Sequence, residues 1–595
     1  MLAEKLVQTW DLERIIPGGC GSPEFKEFLA NLDAELAAVT EQAVALTSDS
    51  APEMWASVVL GMQEASRKVF QAYSYTGCAT AQDTKDTEAK LAYAKCAQVG
   101  AALGNISVRI EAASKEATQE HWEAILAQPS LQAITWNLNE IREKAVDKMP
   151  ASQEVLAVDL AVDGYHGWGA LYDQIVGRIV IPVEIDGKVE ELSVGQATNK
   201  FHEPDRALRQ RTWESWKAAW GKESELIGHT LNSLSGFRLG LYKHRGWDSI
   251  LKEPLSINRM SEASLEAMFH AAKLARGTMT KFLERKAQLL GLEKLAWYDR
   301  DAPLFESTRK VSYDEAATFI VEQFNRFSPR MANFAARAFN NRWIEVEDRP
   351  NKMPGGFMTP FPLAQESRIF MTFSGDAGGN GTLAHELGHA YHTEVMWDLP
   401  PMAQEYAMNV AETASTFAEL IVSSAAIEHA ATREEKLALL SNRLEDATAY
   451  LMNIPARFYF EKAFYAERAK GPVSVERISA LMEATLNDWY NGALSEVEPL
   501  FWASKGHFYG TSVPFYNFPY CFGYLFSNGI YQQARQEGPS FESKYVDLLR
   551  DTGRMTVEEL AKRHLGVDLT QPEFWIAGTQ MALSDAELFL SLTEK

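Results

Sequence analysis

Cysteine is scarce in this chain: 595 residues contain only Cys20, Cys78, Cys96 and Cys521, with no two at the close spacing of a redox pair or a cysteine-built metal site. That excludes a disulfide framework, and such sparse use suits a reducing compartment. Positive charge is also in short supply, with 58 Lys and Arg against 80 Asp and Glu, a net charge of −22. Phosphate backbones need clustered Lys and Arg, so nucleic acid is excluded as a partner and anionic membrane surfaces are disfavoured. Residues 1–14 intersperse Glu4, Lys5, Asp11, Glu13 and Arg14 with apolar side chains and lack the apolar core of a secretory signal. No later stretch reads as long and apolar enough to span a bilayer. The expectation is therefore a cytoplasmic protein without membrane or nucleic-acid partners. Internal repeats and linker-like segments are missing as well.

What is present is ordinary globular composition, 46% hydrophobic and 23% charged, in a chain far longer than one compact core. Most of it has helical periodicity, as in Phe25, Phe28, Leu29, Leu32, Leu36 and Val39. One break comes where Ile179-Val180-Ile181-Pro182-Val183-Glu184-Ile185 and Lys188-Val189-Glu190-Glu191-Leu192 flank Asp186-Gly187, a hairpin signal in which Pro182 confines the first run to an edge. This suggests an N-terminal helical region, 1–200, ending in that hairpin, followed by a second domain, 201–595. A second break, Pro354-Gly355-Gly356-Phe357, precedes the β-prone run 367–373. The glycine-rich stretch 375–381 is expected to turn the chain, with Thr382 as the cap of the helix beyond it.

That helix carries His385-Glu386-Leu387-Gly388-His389. Histidines four apart share one helix face, about 6 Å along the axis, so both imidazoles can converge on one ion. Glu386 beside the first of them is placed to hold and deprotonate a metal-bound water without itself coordinating, which makes it the candidate general base. The competing reading is a pair of satisfied core histidines. A catalytic zinc needs a third protein ligand. His392 lies two turns from His385, about 10 Å along the axis, which suits a supporting or packing role better. Glu405, Glu412 and Glu419 recur every seven residues in a segment of helical composition, 402–421, and would share one face. A solvated acidic stripe is the plain account of them, but Ala411, Ala414 and Phe417 give Glu412 buried surroundings, and a buried carboxylate needs a partner such as a metal.

Pro354-Gly355-Gly356-Phe357, Thr382-Leu383-Ala384-His385-Glu386-Leu387-Gly388-His389-Ala390-Tyr391-His392 and Ala411-Glu412-Thr413-Ala414-Ser415-Thr416 together resemble the oligoendopeptidase F branch of the thimet oligopeptidase-like zinc peptidases. The resemblance covers roughly residues 200–590 well and the earlier helices weakly. It implies a mainly α, multi-helical, two-lobed body of the neurolysin type, with a deep central channel and a small β element beside the zinc site. It also implies one catalytic Zn2+ held by His385, His389 and Glu412, and short peptides as substrates. Glu419 matches a recurrent glutamate of the family, either hydrogen-bonded to a ligand histidine or merely on the surface.

In the same family a histidine and one or two tyrosines face the substrate carbonyl. His507 and Tyr516 are the first candidates here, with Tyr520 and Tyr524 behind them. Neutral donors of this kind stabilise charge developing on a carbonyl oxygen, although most of so aromatic a run is expected to be core. The chain departs from the thimet branch in carrying Gly510-Thr511-Ser512-Val513-Pro514 where that branch has a glycine-rich loop. The segment 368–373 resembles the family's strand beside the cleft, to whose edge an extended substrate could add. The reading is hydrolysis of internal bonds in short peptides. Its alternatives are a zinc exopeptidase of carboxypeptidase type and a non-catalytic peptide-binding helical protein. The sequence leaves the oligomeric state open.

Overall fold

The periodic segments become helices with recognisable ends in a computed structural model that describes residues 2–305 and 310–594. Ser22 caps the first, Pro23–Ala45, by accepting from the Phe25 amide, and Pro23 supplies the pre-set φ of a first helical residue. By contacts between residues the chain divides into two units, each assembled from separated stretches. One comprises Met1–Lys148, Arg309–Ala425 and Gln533–Gly566; the other comprises Met149–Thr308, Ala426–Gln532 and Val567–Lys595.

In the first unit, helices Pro23–Ala45, Pro52–Gln82 and Thr87–Glu116 bury one stripe each around Trp55 and Trp122, whose rings meet edge-on at 5.7 Å. A second cluster, around Trp10, Phe25 and Tyr75, extends to Phe361 and Phe370 of a small sheet. That sheet has the order β3 (Ile344–Glu345), β5 (Glu366–Phe370), β4 (Phe357–Phe361), with β5 parallel to β3 and antiparallel to β4. Ser74 of the second helix donates to the Pro360 carbonyl at 2.6 Å and meets Thr359 Oγ1 at 2.8 Å, bracing β4 from behind. The 368–373 segment therefore does not offer an edge. Its strand is central, buried and paired on both sides, with Arg368 ion-paired to Glu366 beneath it. The outer strand next to it is β4, which enters directly from Gly355-Gly356.

The helix Met408–Glu428 corrects a second expectation. It is long and apolar enough by length and composition to cross a membrane, yet 61% of its apolar window is buried within the protein. A largely buried core helix reads the same way as a membrane span.

The second unit is built on the 40-residue helix Arg206–Arg245, capped by Asp205 and ended by left-handed Gly246, which buries Trp213 and Trp220. Asp299, fully buried, accepts from both Arg206 and Arg209 of that helix. The expected hairpin is here, β1 (Ile181–Ile185) against β2 (Lys188–Leu192), and Asp186 and Gly187 take φ of +50° and +76° at its tip.

Candidate metal centre

The chain leaves β5 and starts the motif helix, Ala377–Glu394, earlier than expected. Asp376 is its cap: Oδ1 accepts from the Gly379 amide at 2.9 Å and from Ser374 Oγ at 2.7 Å, while Lys310 pairs with Oδ2 at 3.2 Å. Thr382, expected as the cap, sits inside the helix and donates to the Gly378 carbonyl. Glycines 378, 379 and 381 thus lie in the first turns of the helix instead of preceding it. The signal was Asp376, since a carboxylate satisfies free amides at a helix start better than a hydroxyl two turns in.

Motif helix and Met408–Glu428 cross at close range, and one residue permits it. A Cβ on Gly388 would lie 2.4 Å from the Ala414 carbonyl oxygen and 2.6 Å from Ser415 Cα. With only hydrogen there, the two backbones touch and Glu412 is carried up to the histidines. Glu412 Oε2 is 3.2 Å from His385 Nε2 and 3.4 Å from His389 Nε2, and one donor atom from each of the three residues falls within 4.8 Å of the others. Bonds of about 2.0–2.2 Å to nitrogen and oxygen in a tetrahedron put neighbouring donors roughly 3.3 Å apart. The set therefore fits a divalent ion of zinc's size and ligand taste. Ser415 Oγ donates to Glu412 Oε2 at 2.7 Å and fixes the carboxylate.

Electrostatics agree with a cation at this point. Burial works against a charge on His385, but Glu412 and Glu419 outweigh it and push the imidazole up to about 10. Burial likewise works against charge on Glu412, and hydrogen bonds from His385 and His389 reverse that, holding its carboxyl far below the usual range. So much attraction for positive charge is what an ion would satisfy, with neutral imidazoles.

Glu419 approaches the far side of His385, its Oε2 3.4 Å from Nδ1. A carboxylate there fixes the tautomer that turns Nε2 towards the other donors. Replacing Glu419 by Ala is expected to weaken metal affinity roughly 10- to 100-fold, read by competition with a chromogenic chelator. His392 is turned elsewhere: it is buried, its Nε2 meets Thr552 Oγ1 at 2.9 Å, and its ring stacks on Tyr406 at 4.3 Å. Burial pushes it down to about 3, so it is a neutral packing residue. Glu405 leaves the proposed stripe altogether, because the helix breaks between Gln404 and Met408 and Glu405 lies in the extended connection.

Glu386 is 7% exposed, its Oε2 has no hydrogen-bond partner among the described residues, and burial raises its carboxyl, partly offset by His389 and His385. A Cβ on Gly356 would come 3.6 Å from its Oε1, an ordinary contact distance, so the Gly355-Gly356 turn lies directly beside the carboxylate.

In the second unit, His507, Tyr516 and Tyr520 form a triangle of rings, with centroids 5.4, 5.9 and 5.6 Å apart. Burial, with Arg457 and Lys505 nearby, pushes His507 down to about 4, leaving it a neutral donor. Tyr524 is not part of this triangle; its ring stacks on Tyr450 at 4.5 Å, buried near Asp585 and Arg443.

A model of peptidase family M3 matches residues 201–581, and one of oligopeptidase F matches residues 115–180. The chain belongs to peptidase family M3. As an M3 metallopeptidase it is 21% identical to oligopeptidase PepF of Bacillus subtilis, over 96% of this chain and 85% of that one. It is likewise 21% identical to an oligoendopeptidase F homolog of Lactococcus lactis, over 100% of this chain and 98% of the relative. Among solved structures, the same fold recurs in a Chlamydophila abortus protein at a TM-score of 0.86 and 19% identity, covering 98% of each chain. Oligoendopeptidase-F of Enterococcus faecium matches at 0.70 and 19%, covering 96% of this chain and 98% of that one.

Proposed function

We propose that this M3 peptidase is a zinc-dependent endopeptidase that hydrolyses internal bonds of short oligopeptides, with His385, His389 and Glu412 as the metal ligands. The observation that carries the zinc is the pair of donor separations, 3.2 and 3.4 Å, made by two helices in backbone contact. The names of the relatives support the endopeptidase action on oligopeptides. When bound, zinc supplies Lewis acidity to a water molecule and to the carbonyl of the scissile bond.

Glu386 takes the proton of the attacking water as its oxygen bonds to the peptide carbon, then gives that proton to the departing nitrogen as the C–N bond breaks. Burial favours this, since a carboxylate whose proton affinity is raised is a stronger base near neutrality. His507 and Tyr516 act as neutral donors to the carbonyl oxygen while it gains charge, with Tyr520 packed against both. Four unpaired cysteines accord with a reducing compartment, and we place the protein in the cytoplasm.

A peptide blocked at both ends separates this from terminal trimming. Mass spectrometry should find internal fragments with the zinc-loaded protein and none after chelation, with cleavage returning on added zinc. Cleavage restricted to peptides with a free terminus would overturn the endopeptidase reading.

A further inference from the structure

The loop that carries Tyr516 is held in a backbone conformation that needs enforcing. Phe515, buried, has φ of +54°, where a bulky L-residue sits only when its surroundings over-determine it, and such outliers cluster at functional sites. One helix, Ile454–Arg468, does the enforcing through residues four apart on a single face. Glu461, buried, accepts a hydrogen bond from the Phe515 amide. Tyr465 stacks on the Phe515 ring at 5.5 Å. Arg457 Nη1 donates to Asn517 Oδ1 at 3.1 Å, and the Asn517 amide closes back on the Phe515 carbonyl at 2.7 Å.

Tyr516 stands between the two gripped residues, its ring against His507 and Tyr520. The grip is itself supported: Arg238, in the long helix, donates to the Tyr465 hydroxyl at 2.5 Å and to that of Tyr165. At the loop's start, Tyr509 stacks on Tyr172 at 3.7 Å and His166 Nδ1 lies 2.8 Å from Thr511 Oγ1. A segment fastened at both ends is built for one shape.

We propose that Arg457 and Glu461 are positioning residues that preset the Tyr516 hydroxyl for the transition state by holding the 515–517 turn, so that this loop is ordered before substrate arrives. The proposal rests on the role given above to Tyr516. Placement errors of about 1 Å cost rate far more than binding, so the loss should fall on kcat.

The test is a double-mutant cycle of Arg457→Met with Tyr516→Phe, read as kcat and KM on a quenched fluorescent peptide together with metal content and Tm. Arg457→Met is expected to lower kcat roughly 10- to 100-fold, with KM within about threefold and metal content unchanged. Glu461→Gln, which keeps an acceptor for the Phe515 amide, should stay within about threefold of the parent. Read at about pH 8, above the ordinary histidine range so that His507 is neutral with or without the nearby Arg457 charge, the Arg457 change added to Tyr516→Phe should cost no more than about twofold further, because its remaining effect runs through that hydroxyl. Phe515→Gly frees the same turn without emptying the Arg457 pocket; it should give the same split, and it carries the cycle if Arg457→Met does not fold. Fully multiplicative losses in the cycle, or an undiminished kcat in both Arg457→Met and Phe515→Gly beside a slow Tyr516→Phe, would overturn this proposal alone. A fully active Tyr516→Phe would overturn the role of Tyr516 and this proposal with it.

Discussion

Glu386→Gln is expected to keep about one tightly bound zinc per chain while lowering kcat roughly 10²- to 10⁴-fold. The glutamine amide occupies the same volume in a site that is 7% exposed, so packing around the motif helix survives. It also removes no metal donor, since the cluster consists of His385, His389 and Glu412. What disappears is the ability to take up a proton, because a neutral amide is not a base in the accessible range. Metal analysis and cleavage of a quenched fluorescent peptide, run on the same preparation, separate the two functions. Full activity would sink the mechanism, and loss of metal together with activity would turn Glu386 into a structural residue.

Gly388→Ala should weaken the metal site without touching a ligand. Alanine is the better helix former by about 1 kcal/mol, so an isolated helix would gain from the change. Here the added carbon would sit 2.4 Å from a carbonyl oxygen and 2.6 Å from a Cα, both backbone atoms with no rotamer to move. Relief requires parting the helices by about 0.6–1 Å, and overpacking of this kind costs about 1–3 kcal/mol. Metal sites tolerate donor errors of only about 0.2 Å, so a displaced Glu412 ceases to coordinate. The expected result is a folded protein of lowered Tm, metal affinity reduced by at least about tenfold and activity lost in proportion. Retention of zinc and rate in Gly388→Ala would mean that the close crossing does not position Glu412.

Residues whose chemistry is local were legible in the sequence. His385, Glu386 and His389 declare themselves by helical spacing, and Asp186-Gly187 by its ease in the positive φ that a tight hairpin turn uses. Glu412 was reachable from its apolar neighbours, and its role came from the resemblance. Other features depended on partners distant in the chain. Nothing in the run 367–373 says whether a strand lies at an edge or in the middle, and only the pairing of β3 and β4 settles it. The seven-residue recurrence of Glu405 failed because the helix breaks after Gln404. Tyr516, Tyr520 and Tyr524 look alike in sequence, and Tyr516 follows directly on a left-handed turn at Phe515, a non-glycine position with no sequence mark, while Tyr520 and Tyr524 stand on the helix beyond it. Gly388 did carry a signal, since a glycine in mid-helix is unfavourable unless something needs the space.

The donors at 385, 389 and 412 fall within a span of only 28 residues, supplied by two helices in contact within one unit. Closing so short a loop costs little chain entropy, and each doubling of its length would add only about 0.6 kcal/mol. The chelate is therefore a local knot in the chain, able to form as soon as two neighbouring helices meet. An ion bound there would tie the helix pair together whether or not the distant stretches of the same unit had yet joined it.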